Sequence, residues 1–408
     1  MIKKLQNLKL NKKTVILRTD YNVPILKGKI DKNSHWRIDA TMDTIEYLLN
    51  KNSKIIIACH LGRPEGKIIE NLRILPIAKY LSKKLKRKLV VYDEKDSTYA
   101  KMLGASGEKV YYLPKNRTSI NPEKLEEKDI LILENIRFNP QEQGEDKNFS
   151  KNLSIIADAY VNDAFAVAHR DETSVSKLPK LLPSGAGFLF QKEIKVLKEV
   201  MDNKTKPLIF IMGGAKAKTK TKLITSFLLK VDEVLVGGVL ANTILAAQGI
   251  AIGKSIVDKE TAQTINGLEI TNTKLHLPVD VIASPTKDGK SSTSIRPVGN
   301  VGGENMILDI GPDTLILFDA IIKKANMIVW NGPMGYTEVK KFQHGTEAIL
   351  KSILKNKKAK VVIGGGESIS LASKYKLLKK LYFVSTGGGA MLKFLADEKL
   401  PAIDALKK

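Results

Sequence analysis

"IIIACHLGRPEG", Ile55 to Gly66, begins as a buried strand and then changes character. Its apolar residues stop at Cys59, and His60, Gly62, Arg63 and Pro64 follow at once. A short apolar run without polar alternation reads as a strand covered on both faces, the habit of parallel sheets. Such a strand normally leaves into a polar turn, and this one leaves into cationic and titratable side chains. In open α/β sheets ligands sit outside the carboxyl ends of the strands, so the same position must be read on every other strand.

Working outward, further apolar strand candidates are "TVILR" (Thr14 to Arg18), "KLVVY" (Lys88 to Tyr92), "DILILEN" (Asp129 to Asn135) and "IIADAYVND" (Ile155 to Asp163). Helical-period segments lie between them, "ATMDTIEYLLN" (Ala40 to Asn50) and "ILPIAKYLSKKL" (Ile74 to Leu85). The rhythm resumes in "PLIFIM", "EVLVGG", "NMIVWNG", "AKVVIGGG" and "LYFVSTGGG". Strands alternating with helices predict an α/β fold of two doubly wound, parallel-sheet, Rossmann-like domains. The break falls at the proline- and glycine-rich "KLPKLLPSGAGFLF" (Lys177 to Phe190), and "QKEIKVLKEVM" (Gln191 to Met201) is expected to be a helix joining the halves. The expected domains are residues 1–185, with 400–408 packing back on them, and 186–399, which includes the joining helix.

Length and composition agree with this plan. The chain has 408 residues, too many for one ordinary core, with 43% hydrophobic and 27% charged residues, the balance of a globular protein. No apolar run approaches a membrane span, and the basic start "MIKKLQNLKLNKK" lacks a signal-peptide core, so a cytoplasmic location is expected. Cys59, the only cysteine, excludes an intrachain disulfide and suits a reducing compartment. The formal net charge of +24 admits nucleic acid or anionic metabolites as partners. Lysine is scattered along the chain, aromatics are 6%, and no RNA-recognition pattern interleaves them, so no nucleic-acid partner is expected.

The two halves carry different chemistry at their strand exits. The first offers "RTDYN" (Arg18 to Asn22), "CHLGR", "ENIRF" (Glu134 to Phe138) and "NDAFAVAHR" (Asn162 to Arg170), with Arg37 in the loop after the first strand. One loop arginine is usually solvent-facing, but Arg37, Arg63, Arg137 and Arg170 share one expected edge with His60 and His169. Guanidinium forks match phosphate and carboxylate oxygens, so this edge suits a small, multiply anionic molecule. The histidines have no metal-ligand spacing and are given positioning roles.

The second half ends strands in glycine, at "IMGGAK", "LVGGVL", "VIGGGES" and "STGGGA". Bare backbone N–H groups beside helix N-termini suit polyphosphates, with Lys216 and Lys220 following as point charges. "GIAIGKS" (Gly249 to Ser255) imitates a phosphate loop but is one residue short, with Gln248 where the first glycine belongs. No GxGxxG follows the first strand of either half, which weakens a dinucleotide-dependent dehydrogenase.

Together, "RTDYNVP", "HLGRP", "VNDAF", "AHR", "GGAK", "LPVD", "DIGP", "WNGPMG" and "STGGGA" resemble the phosphoglycerate kinase family, in its order and over essentially the whole chain. The resemblance implies a hinge-bending enzyme of glycolysis and gluconeogenesis that moves a phosphoryl group between 1,3-bisphosphoglycerate and ADP, giving 3-phosphoglycerate and ATP with Mg2+. A monomer with no membrane partner is expected. Similarity assigns the phosphoglycerate to Asp20, Asn22, Arg37, His60, Arg63, Arg137 and Arg170. It makes Arg37 and Lys216 catalytic, from different halves, and gives Lys220 to nucleotide phosphates. Gly214, Ala215, Gly238, Asn331 and Pro333 would line the nucleotide pocket with Gly365, Gly366, Glu367 and Ser368, and Glu338 would bind the ribose. Three departures stand out. Glu367 and Ser368 replace the usual Asp-Thr, whose aspartate helps hold magnesium; Thr219 stands where an aspartate is usual; Cys59 replaces a usual serine. Glu367 becomes the expected metal ligand, with one more methylene of reach. The competing readings are another two-domain α/β enzyme such as a dehydrogenase, or a basic nucleic-acid-binding protein, whose binding would depend steeply on salt.

Overall fold

The structure, a computed structural model, describes residues 2–87, 89–92, 101–103, 110–112, 126–144, 147–202, 204–214, 224, 226–265 and 272–407. The chain divides into two compact units, Met1–Lys195 with Lys399–Lys408, and Val196–Glu398.

The sheet of the first unit runs, in spatial order, Ser184–Ala186, Ala159–Asp163, Thr14–Thr19, Lys54–Ala58, Ile130–Leu133, Leu89–Tyr92, Lys101–Leu103 and Val110–Tyr112. Pairing is parallel from Ser184–Ala186 to Leu89–Tyr92 and antiparallel beyond. Successive strand side chains point to opposite faces, and both faces are used. Val15, Leu17, Ile55, Ile57, Ile130 and Ile132 join one core with Ile45, Leu48, Ile77 and Leu81 of the helices Met42–Asn50 and Leu75–Leu85. Ile16, Ile56, Leu131 and Leu133 join another with Phe149 and Leu153 of the helix Lys147–Ile155. That double covering is why these strands read as unbroken apolar runs.

Two expectations of extent are corrected here. The strand expected from Ile155 starts at Ala159, and Ile155 ends the preceding helix, exposed. The chain turns at Asp158, whose N–H donates to the Thr14 carbonyl at 2.8 Å while its carboxylate accepts the Thr14 N–H at 2.9 Å. The joining helix is Phe188–Met201, beginning before Gln191 because Thr44 Oγ1 accepts the Phe188 N–H at 2.9 Å and Asp163 Oδ1 accepts that of Phe190 at 3.0 Å. The two units divide inside this helix, after Lys195, rather than at 185/186. Phe188 and Phe190 pack edge-on against Tyr47 and Phe165 of the first unit, whereas Glu199 accepts from Lys360 and Tyr382 of the second. The helix Pro401–Leu406 belongs to the first unit, where Ala402 N–H donates to the Ala168 carbonyl at 3.1 Å.

The second unit has a parallel sheet in the order Leu275–His276, Glu233–Val236, Leu208–Met212, Met327–Asn331, Lys360–Gly364 and Phe383–Val384. Beside it, Asp280–Ser284 pairs antiparallel with both Ser294–Pro297 and Met306–Ile310. The parallel plan read from the sequence did not include this small sheet. Ser294–Pro297 is its largely exposed edge and carries none of the apolar run that marks the others. Among the described residues no helix is long and apolar enough to cross a membrane.

Candidate functional site

In the first unit, parallel pairing brings the ends of Thr14–Thr19, Lys54–Ala58, Ile130–Leu133 and Ala159–Asp163 to one edge. Asp20, just beyond the first of these, is buried; its Oδ2 accepts from Arg37 Nη1 at 2.5 Å and its Oδ1 lies 3.7 Å from His60 Nε2. The Asp20 Oδ1 also accepts the Asn22 N–H at 3.1 Å, and Asn22 Oδ1 accepts the Gly62 N–H at 2.9 Å. These bonds tie the turn after one strand to the turn after its neighbour. His60 is buried, and desolvation together with the guanidinium groups of Arg137, Arg18, Arg170 and Arg37 holds it well below the usual imidazole range. It is therefore neutral at physiological pH, and its contact with Asp20 is not an ion pair.

The arginines differ sharply in what they can offer. Arg63 is exposed, and Arg170 keeps 31% of its side chain open. Arg137 is 1% exposed, with Nη1 donating to the Gly62 carbonyl at 2.9 Å and Nη2 to Glu172 Oε1 at 2.6 Å. Burial lowers its pKa and Glu172 opposes that shift. The same Glu172 Oε1 accepts from Arg170 Nη1 at 3.2 Å, and Glu172 Oε2 lies 3.6 Å from Nη2 of the fully buried Arg18. Arg18 Nε donates to Ser174 Oγ at 2.8 Å, and Ser174 contacts Glu142 through both its N–H and its hydroxyl. Burial pushes the Glu142 carboxyl up to about 7, against the pull of Arg18.

Sequence reasoning found the arginines and missed the acids. Glu172 follows "AHR" by two positions, and a carboxylate so close to an arginine-bearing turn was the available signal. Glu142 gave none, because burial inside a segment of short turns leaves no periodic trace.

In the second unit the strand ends Met212, Val236, Asn331, Gly364 and Val384 lie along one edge of the parallel sheet. Gly213 N–H donates to the Asn331 carbonyl at 3.0 Å, Gly214 N–H to the Pro333 carbonyl at 2.8 Å and Gly238 N–H to the Met334 carbonyl at 2.9 Å. The turns approach so closely that a Cβ on Gly213 would stand 1.9 Å from the Pro333 carbonyl oxygen, and one on Gly238, where φ is +62°, 2.8 Å from the Gly214 nitrogen. Glycine is required there by contact as well as by conformation. Helices start at Gly238, Gly366 and Gly389, so this edge presents helix N-termini, the usual place for phosphate.

Within this edge the expected residues separate. Asn331 and Pro333 are buried, whereas Glu338, Gly366 and Glu367 are exposed. Ser368 is fully buried, and its Oγ accepts the Gly332 N–H at 3.0 Å. Ala215, Lys216, Thr219 and Lys220 lie outside the described residues.

Among the described residues no three His, Cys, Asp or Glu side chains gather as a metal cage. Glu367, exposed in the first turn of Gly366–Lys374, fits the other manner of holding magnesium, one hard carboxylate oxygen plus phosphates of the substrate.

A family model described as Phosphoglycerate kinase matches residues 5–398. Curated relatives named phosphoglycerate kinase include that of Moorella thermoacetica, 37% identical over 406 residues and 98% of each chain, and that of Finegoldia magna, 36% identical over 408 residues, 99% of this chain and 98% of the relative. Among solved structures, the phosphoglycerate kinase of Coxiella burnetii superposes with a TM-score of 0.79 at 33% identity, covering 100% of this chain and 99% of that one. The enzyme from Pyrococcus horikoshii OT3 gives 0.80 at 31% identity, covering 100% and 98%.

Proposed function

Because the chain belongs to the phosphoglycerate kinase family and is a kinase, we propose that its first unit binds phosphoglycerate, its second binds ATP or ADP, and the phosphoryl group passes directly between them. The observation that carries this division is the contrast between the two strand-exit edges, one lined with guanidinium groups and one with glycine turns at helix N-termini. The dehydrogenase and nucleic-acid readings are not favoured, since the family match runs over residues 5–398.

The accepting group in ATP synthesis in reverse is a carboxylate, already ionised at pH 7, so no general base has to deprotonate it. Catalysis is then positioning plus stabilisation of charge on the phosphoryl oxygens. Arg63 and Arg170 contact the phosphoglycerate, Asn22 and neutral His60 add hydrogen bonds, and Asp20 holds Arg37 toward it. Arg137, buried and pinned to Gly62, supports the loop and contributes its charge. Arg37 and Lys216 take up charge on the phosphoryl group in flight, Lys220 with the N–H groups of Gly365 and Gly366 holds the nucleotide phosphates, and Gly214, Ala215 and Gly238 line the nucleotide pocket. Asn331 and Pro333 shape the nucleotide pocket, and Glu338 binds the ribose. Bound magnesium, held by Glu367 and the phosphates, would supply charge neutralisation. A monomer working in the cytoplasm on these small molecules, without nucleic acid or membrane, belongs to the same reading.

A coupled assay for acyl phosphate formation from 3-phosphoglycerate and ATP tests it. Activity that requires both substrates and magnesium is the expected result; no turnover at millimolar concentrations of both would reject it.

A further inference from the structure

Besides Asp20, which holds Arg37, a second carboxylate lies among the cations of the first unit. Arg137 Nη2 stands 2.6 Å and Arg170 Nη1 3.2 Å from Glu172 Oε1, while Arg18 Nη2 stands 3.6 Å from Glu172 Oε2. Glu142 is the other acid near Arg18, at 3.9 Å, and with its carboxyl pushed up to about 7 it is only partly ionised near neutrality. Asp171 faces elsewhere, bonded to Ser176 and Lys177. Glu172 is thus the main counter-charge for three guanidinium groups.

Two of these cations are fixed parts of the interior, since Arg18 and Arg137 are 0% and 1% exposed. Arg170 is different: with 31% of its side chain open it can meet a ligand, and one of its terminal nitrogens already faces Glu172. An anion approaching Arg170 meets a fork that an internal carboxylate has partly neutralised. We infer that Glu172 is a built-in counter-anion that competes with phosphoglycerate for Arg170, and so sets how tightly that substrate is held. The inference rests on the reading that Arg170 faces the phosphoglycerate. Its consequence for turnover is faster release of a multiply charged ligand from an otherwise strongly cationic edge.

The sign of the effect separates this role from simple bracing. Glu172→Gln keeps a carbonyl that can accept from Arg137 but removes the charge. Calorimetric titration with 3-phosphoglycerate should give a dissociation constant about tenfold lower than in the wild type, the effect of deleting one anion beside a partly screened cation. The nucleotide dissociation constant should not move, and KM for 3-phosphoglycerate should fall without a rise in kcat. Without ligand the Gln variant should melt at a lower temperature than the wild type, because Arg18 and Arg137 lose their counter-charge, and saturating 3-phosphoglycerate should raise its melting point by more than the wild type's. Glu172→Asp, which retracts the carboxylate by one methylene, should bind 3-phosphoglycerate with an affinity between the two, and it carries the same test should the Gln variant fail to fold. Unchanged or weaker binding in the folded variants would overturn the inference and make Glu172 a brace. Arg170→Ala tests the underlying reading separately: if its affinity for 3-phosphoglycerate equals the wild type's, the assignment of Arg170 to the substrate fails.

Discussion

Ser368 Oγ accepts the Gly332 N–H at 3.0 Å, joining the first turn of the helix Gly366–Lys374 to the turn after the strand Met327–Asn331. The hydroxyl that similarity assigned to the nucleotide is therefore engaged inside the unit, where it ties together two of the turns proposed to bind the nucleotide. Ser368→Ala leaves a buried N–H without its acceptor, which costs about 1–3 kcal/mol. The melting temperature should drop and KM for ATP should rise, with KM for 3-phosphoglycerate unmoved. Equal change in both KM values would refute the local role.

Gly213→Ala puts a methyl group 1.9 Å from the Pro333 carbonyl oxygen, a clash with backbone that only a shift of the turn relieves. Overpacking of this kind costs about 1–3 kcal/mol or more. We expect lower stability and weaker ATP binding by titration. Gly303, where an added Cβ meets nothing within 4 Å, is the matched control and should tolerate alanine.

Arg63 and Arg137 should respond in opposite ways to loss of the side chain. Arg63 is exposed, so Arg63→Ala should leave the melting temperature unchanged and weaken 3-phosphoglycerate binding. Loss of a charged hydrogen bond costs about 1.5–3 kcal/mol, or roughly 10- to 150-fold in affinity. Arg137→Ala removes one of the three guanidinium groups around the buried Glu172, together with the bond to the Gly62 carbonyl, and should lower the melting temperature clearly. Nucleotide affinity weakened as much as phosphoglycerate affinity in Arg63→Ala would reject the division of labour between the units.

Glu367 distinguishes a metal ligand from a helix-end charge. If it meets magnesium, Glu367→Gln should raise the magnesium concentration needed for half-maximal activity at fixed ADP, with partial recovery at high magnesium, and Glu367→Asp should retain more activity. If it serves only the helix dipole, Gln lowers stability by about 0.3–1 kcal/mol. The magnesium curves of the three proteins would then superimpose.

Asp163 makes stability depend on pH. Burial pushes its carboxyl up to about 7, against the hydrogen bonds it accepts at the start of the helix Phe188–Met201. A carboxyl raised on folding binds its proton more tightly in the folded state, so between its unfolded value and about 7 the folded protein carries the extra proton. Stability from this group accordingly falls as pH rises through that window, by at most about 1.4 kcal/mol per pH unit. Asp163→Asn should flatten the decline in melting temperature between pH 5 and 7. An identical slope in wild type and variant would assign the pH dependence to other groups, such as Asp309, which burial also raises to about 7.

The sequence announced the parallel strands to within a few residues because double covering makes them uniformly apolar, as in Lys54–Ala58 and Leu208–Met212. The antiparallel sheet of Asp280–Ser284 escaped because its edge strand is polar and short. The arginines and glycines of the two edges were legible, since cations and glycines at strand ends are visible one residue at a time. Their partners were not. Glu172 and Glu142 reach Arg18, and Ser368 reaches the Gly332 N–H, across long stretches of sequence, and nothing in a linear string says that Arg137 is buried while Arg63 is open.

The only thiol, that of Cys59, is completely buried, and burial raises its pKa far above the range in which a thiolate forms. Maleimide and iodoacetamide reagents react through the thiolate, so the native protein should be inert to them while folded. A pair of cysteines introduced at exposed positions, one in each unit, would then be the only sites to take a dye or a spin label. Energy transfer or dipolar spectroscopy on such a pair would follow, with the wild-type core untouched, how the separation of the two units answers to phosphoglycerate, to nucleotide and to both together.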